Sequence, residues 1–375
     1  MGKIFLTEIS VSVINGRLIK QKIDNQESLE NNLYKSEQKI ESEEILSKCL
    51  IESVSSAYDM FINEYPECSA NIIITLNYFI KKYQGINDDI THISYIQIEV
   101  QYEKHNNRSV ENCYINSNED CPKIIFDLLC SMELYNQRHL SIIKSHYLGE
   151  KIIFRNKAAA LLIHEFSHLF EADIYLYSRN YIKEINPNIV LDDLFYHPSL
   201  PEICLNVDDE FSLNQNITIL EKGVVKNILV DKKWAQIYHS IPKGNGRRDF
   251  KKDAPVFPRM RISHMKYLSE FLMDKEMINN VYIVIDNIKN GKLFPKNGMV
   301  VFQVETAEYH SHGNVIHIQP FAFQCSIIEL MNNIIGVSKS NYHAVYPCGK
   351  NGYQLPCGVI VPSNILTIGG NIYVL

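Results

Sequence analysis

The sequence predicts an α+β protein: an N-terminal α/β region over residues 1–150, then a mostly antiparallel β domain over residues 151–375. Three patterns carry this. Between residues 92 and 103, Ile96, Ile98 and Val100 alternate with Gln97, Glu99 and Gln101, the period of a half-buried strand. From Asn156, the residues Ala159, Leu162, Ile163, Phe166 and Phe170 recur at three- and four-residue steps, which is a helical period. Beyond about residue 200 short apolar runs alternate with turn residues, as in an antiparallel sheet.

Taken in order, residues 26–50 read as one or two polar surface helices leading into a more apolar helix over 51–62. Residues 72–76 and 92–103 read as strands, residues 122–147 as helix, and 151–154 as a short extended segment before the helix at the junction. In the C-terminal half, residues 217–220 and 224–230 flank Glu221-Lys222-Gly223, a hairpin signal. Residues 281–285 form a short apolar strand. Residues 299–305 and 315–319 flank a turn near Gly313, and 365–368 with 372–375 flank Gly369-Gly370.

Composition removes several function classes. The net charge is -6, with 37 Lys and Arg against 43 Asp and Glu, so no basic excess exists to neutralise nucleic-acid phosphates. The nearest basic cluster, Arg247, Arg248, Lys251 and Lys252, is interrupted by Asp249 and Asp253. No apolar run approaches the roughly 20 residues that span a bilayer, and the first residues lack the apolar core of a secretory signal. The expectation is a soluble, cytoplasmic protein bound to neither nucleic acid nor membrane. Nine cysteines, an odd number without Cys-x-x-Cys spacing, read as reduced thiols.

The junction helix holds His164-Glu165-Phe166-Ser167-His168. Histidines four residues apart on a helix share one face, so both imidazoles can reach one zinc ion while Glu165 polarises a water beside it. Two exposed histidines on an amphipathic helix would be the bland alternative. Against it, Leu161, Leu162, Ile163, Phe166, Leu169 and Phe170 leave almost no solvated face. Burying His and Glu there is costly unless something pairs with them. A third ligand is required. Ile174 occupies the position where a metzincin needs its third His, which excludes that subclass. A thermolysin-like acid would have to be Asp192 or Asp193, on what reads as a loop; spacing leaves these open beside Glu171, Asp173 and the cysteines.

Three blocks resemble the TldD/PmbA family of metallopeptidases. They are the segment from Leu162 to Asp173, the Gly244-Asn-Gly-Arg-Arg-Asp249 segment followed by Pro258-Arg-Met260, and the block from Cys348 to Gly358 ending in Leu366-Thr-Ile-Gly-Gly370. The resemblance covers roughly residues 150–375. It implies that Cys348 is the third ligand, completing a His164, His168 and Cys348 zinc site with Glu165 as general base and one Zn2+ per active subunit. It also implies cleavage of unstructured peptides docked as an added strand, in some members to remove the leader of a ribosomally made peptide, by a homodimer or a heterodimer with a related chain. Asn245, Arg247 and Arg248 are candidate substrate contacts, with a structural salt-bridged role as the alternative for the arginines; Cys357 matches no family ligand. Two departures stand out: the family's histidines are one residue further apart, and its N-terminal region is longer. Silent partner chains of the family lack the His-Glu-His set, so its presence points to the active type; the alternative is a non-catalytic peptide-binding or scaffolding subunit.

Overall fold

The computed structural model describes residues 3–28, 37–84, 90–104, 107–115, 120–136, 140–143, 151–200, 206–249, 254–268 and 281–375. Lys251, Lys252, Asp253 and Cys204, and the end of the helix expected over 122–147, lie outside them. Two compact units form. One comprises Met1–Arg138 with Asp249–Ala254 and Gly349–Pro356, and the other comprises His139–Arg248, Pro255–Cys348 and Cys357–Leu375.

The first unit is an antiparallel five-stranded sheet in the order Arg17–Ser28, Lys3–Ile14, Asn71–Gln84, Ile90–Lys104, Asn107–Ile115. Alternation along each strand sends Val11, Ile74, Leu76, Ile98 and Val100 into one core. Helix Glu37–Glu64 covers that face with Leu50, Val54, Ala57 and Phe61, spaced four, three and four residues apart; helix Cys121–Asn136 adds Ile125, Leu129 and Met132. The first hairpin was not anticipated. It turns on Asn15-Gly16, both at positive φ (45° and 76°), as a two-residue hairpin turn requires.

The second unit holds two sheets. A six-stranded sheet runs Asn341–Lys350, Tyr353–Pro362, Ile262–Tyr267, Ile189–Leu194, Ile217–Glu221, Val224–Val225. The other has eight strands, with Lys151–Arg155 paired to Asn364–Ile368 on one side and, in parallel, to Val281–Phe294 on the other. Helix Lys157–Ser167 follows Lys151–Arg155 directly and packs against strands of both sheets. This position explains its sequence: every residue from Ala158 to Ser167 is buried, so no polar stripe is needed.

Several expectations are corrected by tertiary pairing. Residues 281–285 are only the start of a 14-residue strand, Val281–Phe294, whose polar second half reads as loop until its partner Met299–Ser311 is seen. The segments flanking Gly369-Gly370 do not pair with each other: Asn364–Ile368 pairs with Ile334–Val337 and Lys151–Arg155, and Tyr373–Val374 with Phe321–Ser326. Asp192 and Asp193 lie within strand Ile189–Leu194, not on a loop. Among the described residues no helix is long and apolar enough to cross a membrane.

Candidate metal centre

The α-helix ends at Ser167, and His168 opens a 3-10 turn, His168–Phe170. Ser167 Oγ donates to the Ile163 carbonyl at 2.7 Å, and Glu171 leaves the turn extended, at φ -72° and ψ 130°. A parallel bridge between Glu171 and Leu229 fixes the exit, with the Ala172 N–H on the Leu229 carbonyl at 2.9 Å. The two histidines remain one turn apart. Their ring centroids are 4.8 Å from each other and the planes nearly perpendicular, at 84°.

Cys348 arrives from strand Asn341–Lys350, 180 residues downstream of His168, and its Sγ lies 3.6 Å from His168 Nε2. His164, His168 and Cys348 each offer one ligand atom, all within 4.8 Å of one another, and all three residues are buried. Tetrahedral zinc at about 2.0–2.1 Å from nitrogen and about 2.3 Å from sulfur would place its N and S ligands about 3.5 Å apart. The Cys348–His168 separation meets that spacing. His164 Nδ1 is buried with no hydrogen-bond partner, a costly state for an imidazole that an ion or an ordered water would relieve.

Charge points the same way. The Cys357 thiol hydrogen-bonds Cys348 and holds it well below the usual thiol range; burial opposes this, and His168 and His164 add to it. Cys348 is therefore the thiolate of the pair and Cys357 the protonated partner. By contrast, burial pushes the Cys121 and Cys325 thiols up to about 12, which makes them poor ligands. Burial alone would discharge His168, but Glu171 and Cys348 together outweigh it and raise its pKa. Glu171 Oε2 lies 3.1 Å from His168 Nδ1, close enough for an ion pair though off-line for a straight hydrogen bond. Glu171 thus stands behind the His168 imidazole, where metal sites commonly place a carboxylate behind a ligating histidine.

Glu165 is 7% exposed, and desolvation raises its pKa against the lowering pull of His168 and His164. The Leu293 main chain hydrogen-bonds its carboxylate. Strand Val281–Phe294 makes room for it at Gly291, where a Cβ would lie 2.6 Å from Glu165 Cγ and 2.8 Å from Oε1. Gly291→Ala is therefore expected to displace the Glu165 carboxylate and to lower any turnover that depends on it, without touching the three donors. Metal content and turnover measured on the same sample check this; unchanged turnover would show that Glu165 does not need that position.

The other expected site residues make contacts within the protein. Asn245 is fully buried, its Nδ2 donating to Asp193 Oδ2 at 2.7 Å and to the Arg259 carbonyl at 3.0 Å. Strand Gly246–Arg248 pairs with Val256–Pro258, and the Arg248 N–H donates to Asp209 Oδ2 at 2.6 Å. Arg247 is 4% exposed, and its charge only partly opposes the rise that Cys348 and burial impose on the Cys357 thiol. Asp193 is engaged by Arg261 at 2.7 Å and Asp192 by Lys266 at 2.9 Å, so neither joins the histidines.

A family model described as the PmbA/TldA metallopeptidase C-terminal domain matches residues 150–368. The chain belongs to the TldD/PmbA family. Two relatives, each described as a metalloprotease TldD homolog, come from Buchnera aphidicola subsp. Schizaphis graminum and subsp. Acyrthosiphon pisum. Each is 30% identical over 176 residues, which is 45% of this chain and 36% of the relative. The matched part thus spans little more than a third of their length. Among solved structures, TldE from Thermococcus kodakarensis superposes with a TM-score of 0.68 at 16% identity, covering 99% of this chain and 95% of that one. A candidate modulator of a DNA gyrase from Thermotoga maritima gives a TM-score of 0.70 at 15% identity with the same coverage. At these identities the likeness is one of fold, and it extends over 99% of the chain, beyond the residues 150–368 that the family model matches.

Proposed function

We propose that this TldD/PmbA protein is a zinc-dependent peptidase acting on unstructured peptides, with His164, His168 and Cys348 as metal ligands and Glu165 as general base. One observation carries the reading: three buried donors from two distant segments converge with a buried glutamate beside them. A bound ion would supply Lewis-acid polarisation of the scissile carbonyl and a lowered water pKa of about 7. Glu165 accepts the proton of the attacking water as the new C–O bond forms. It then delivers that proton to the amide nitrogen as the C–N bond breaks, leaving a carboxylic acid and an amine; transfer of the acid's proton to the amine gives the carboxylate and ammonium products. Burial raises the Glu165 pKa, which makes its carboxylate a stronger base toward that proton.

Within this reading the protein pairs with a second copy or a related chain, and leader removal from a ribosomally made peptide is one task that suits it. Purified protein is expected to carry about one zinc ion per chain. Chelation is expected to abolish cleavage of an unfolded peptide, and zinc to restore it. Protein without bound metal, or cleavage indifferent to chelation, would sink the proposal. The competing reading, a non-catalytic peptide-binding or scaffolding subunit, leaves the complete His-Glu-His-Cys set without a task.

A further inference from the structure

Peptide hydrolysis by the four site residues gives no role to the Pro258-Arg259-Met260 block, although it is one of the sequence's most distinctive segments. Its contacts lead to both halves of the metal centre. Arg259 is fully buried, and its Nη1 donates to the Cys348 carbonyl at 2.8 Å. The next residue, Met260, donates its N–H to Glu171 Oε1 at 3.2 Å. The other oxygen of that carboxylate is the one 3.1 Å from His168 Nδ1. The Met260 carbonyl lies 3.3 Å from Cys357 Sγ.

The block is itself anchored. The Arg259 N–H donates to the Asn245 carbonyl at 2.9 Å, and the Arg259 carbonyl accepts from Asn245 Nδ2. Asn245 Nδ2 also reaches Asp193, which Arg261 pairs from the same strand region at 2.7 Å. Two consecutive residues thus hold the strand bearing Cys348 at one end and the carboxylate behind His168 at the other.

We propose that Arg259 and Glu171 are positioning residues forming a brace that sets the separation of the helix-borne and strand-borne ligands. The inference rests on the metal-centre reading above. Its physical basis is pre-organisation: ligands already held at coordinating distance lose little freedom when an ion binds, and outer-shell partners that orient them raise affinity. Glu171 fixes the His168 ring so that Nε2 faces Cys348, and Arg259 fixes the peptide from which the Cys348 side chain projects. The Asn245-Gly-Arg-Arg and Pro-Arg-Met blocks then serve the metal site from behind.

The test measures zinc affinity by competition with a chromogenic chelator for the full chain and for Glu171→Gln, Arg259→Met and Arg259→Lys. Absorption spectra of the cobalt(II) forms are recorded alongside. Glu171→Gln and Arg259→Met are each expected to weaken zinc binding by about 10–100-fold and to alter the cobalt ligand-field and thiolate charge-transfer bands. Arg259→Lys, which keeps a cationic donor, should recover part of the affinity. The double variant Glu171→Gln/Arg259→Met should lose less than the product of the single losses, because the two residues brace one geometry. Variants that melt like the parent in chelator, bind zinc within about 3-fold of it and keep its cobalt spectrum would overturn the brace. Should Arg259→Met fail to fold, Glu171→Gln decides by the same criterion. A parent protein that binds neither zinc nor cobalt would overturn the metal centre and the brace together, whereas normal parent binding with unaltered variants overturns the brace alone.

Discussion

Glu165→Gln is expected to lower the turnover of an unfolded peptide by about 10²–10⁴-fold while zinc remains bound. The amide keeps the shape and volume of the carboxylate, so the contacts at Gly291 and with the Leu293 main chain leave room for it. What it loses is the ability to take a proton. None of the three convergent donors is touched, so metal content should equal that of the parent. The loss should therefore fall on kcat, with KM little changed, because the missing step occurs after binding. Full activity in the zinc-loaded variant would remove Glu165 from the mechanism and favour a non-catalytic role for the chain.

Cys348→Ser is the second large effect. Zinc affinity should fall by more than the about 100-fold at the upper end of outer-shell changes, because a ligand is removed rather than its support. Serine is close in size, but its hydroxyl stays protonated at neutral pH, whereas Cys348 is held as a thiolate by the Cys357 thiol, against burial, and by the two histidines. The cobalt(II) form should lose its thiolate charge-transfer band altogether. Chelator competition and the cobalt spectrum separate the possibilities. Retained affinity with the band absent would transfer the third-ligand role to a carboxylate.

The two predictions differ in how far the sequence alone supports them. The spacing of His164, Glu165 and His168 is a statement about one helical turn, and the structure keeps the histidines adjacent even though the helix tightens into a 3-10 turn at His168. The blocks from Gly244 to Asp249 and from Cys348 to Gly358 were legible as family motifs, but as strings they do not say what they touch. Asn245 reads as a substrate contact on its residue type, and in the fold its amide is turned toward Asp193 and Arg259. The first hairpin is written in the sequence, as an Asn15-Gly16 turn after Ile9, Val11 and Val13 at alternate positions.

Glu171, Gly291, Arg259 and Cys357 were not assigned their places by any pattern. Gly291 lies in the polar half of a strand, and its closeness to Glu165 depends on a helix crossing that strand. Cys357 matched no ligand position, yet its thiol is the largest influence holding Cys348 ionised.

By itself the sequence determined the family, the α+β class and the helix that carries two histidines and a glutamate. Those properties are written in local periodicity and in contiguous motifs, where neighbours in space are neighbours in the chain. Only the tertiary structure decided that Cys348 meets His168 across 180 residues, and that Glu171 and the Arg259-Met260 pair stand behind them. The reason is physical. Helix neighbours follow from a fixed 3.6-residue repeat, whereas a contact between a helix and a distant strand depends on strand order, register and which face each sheet buries.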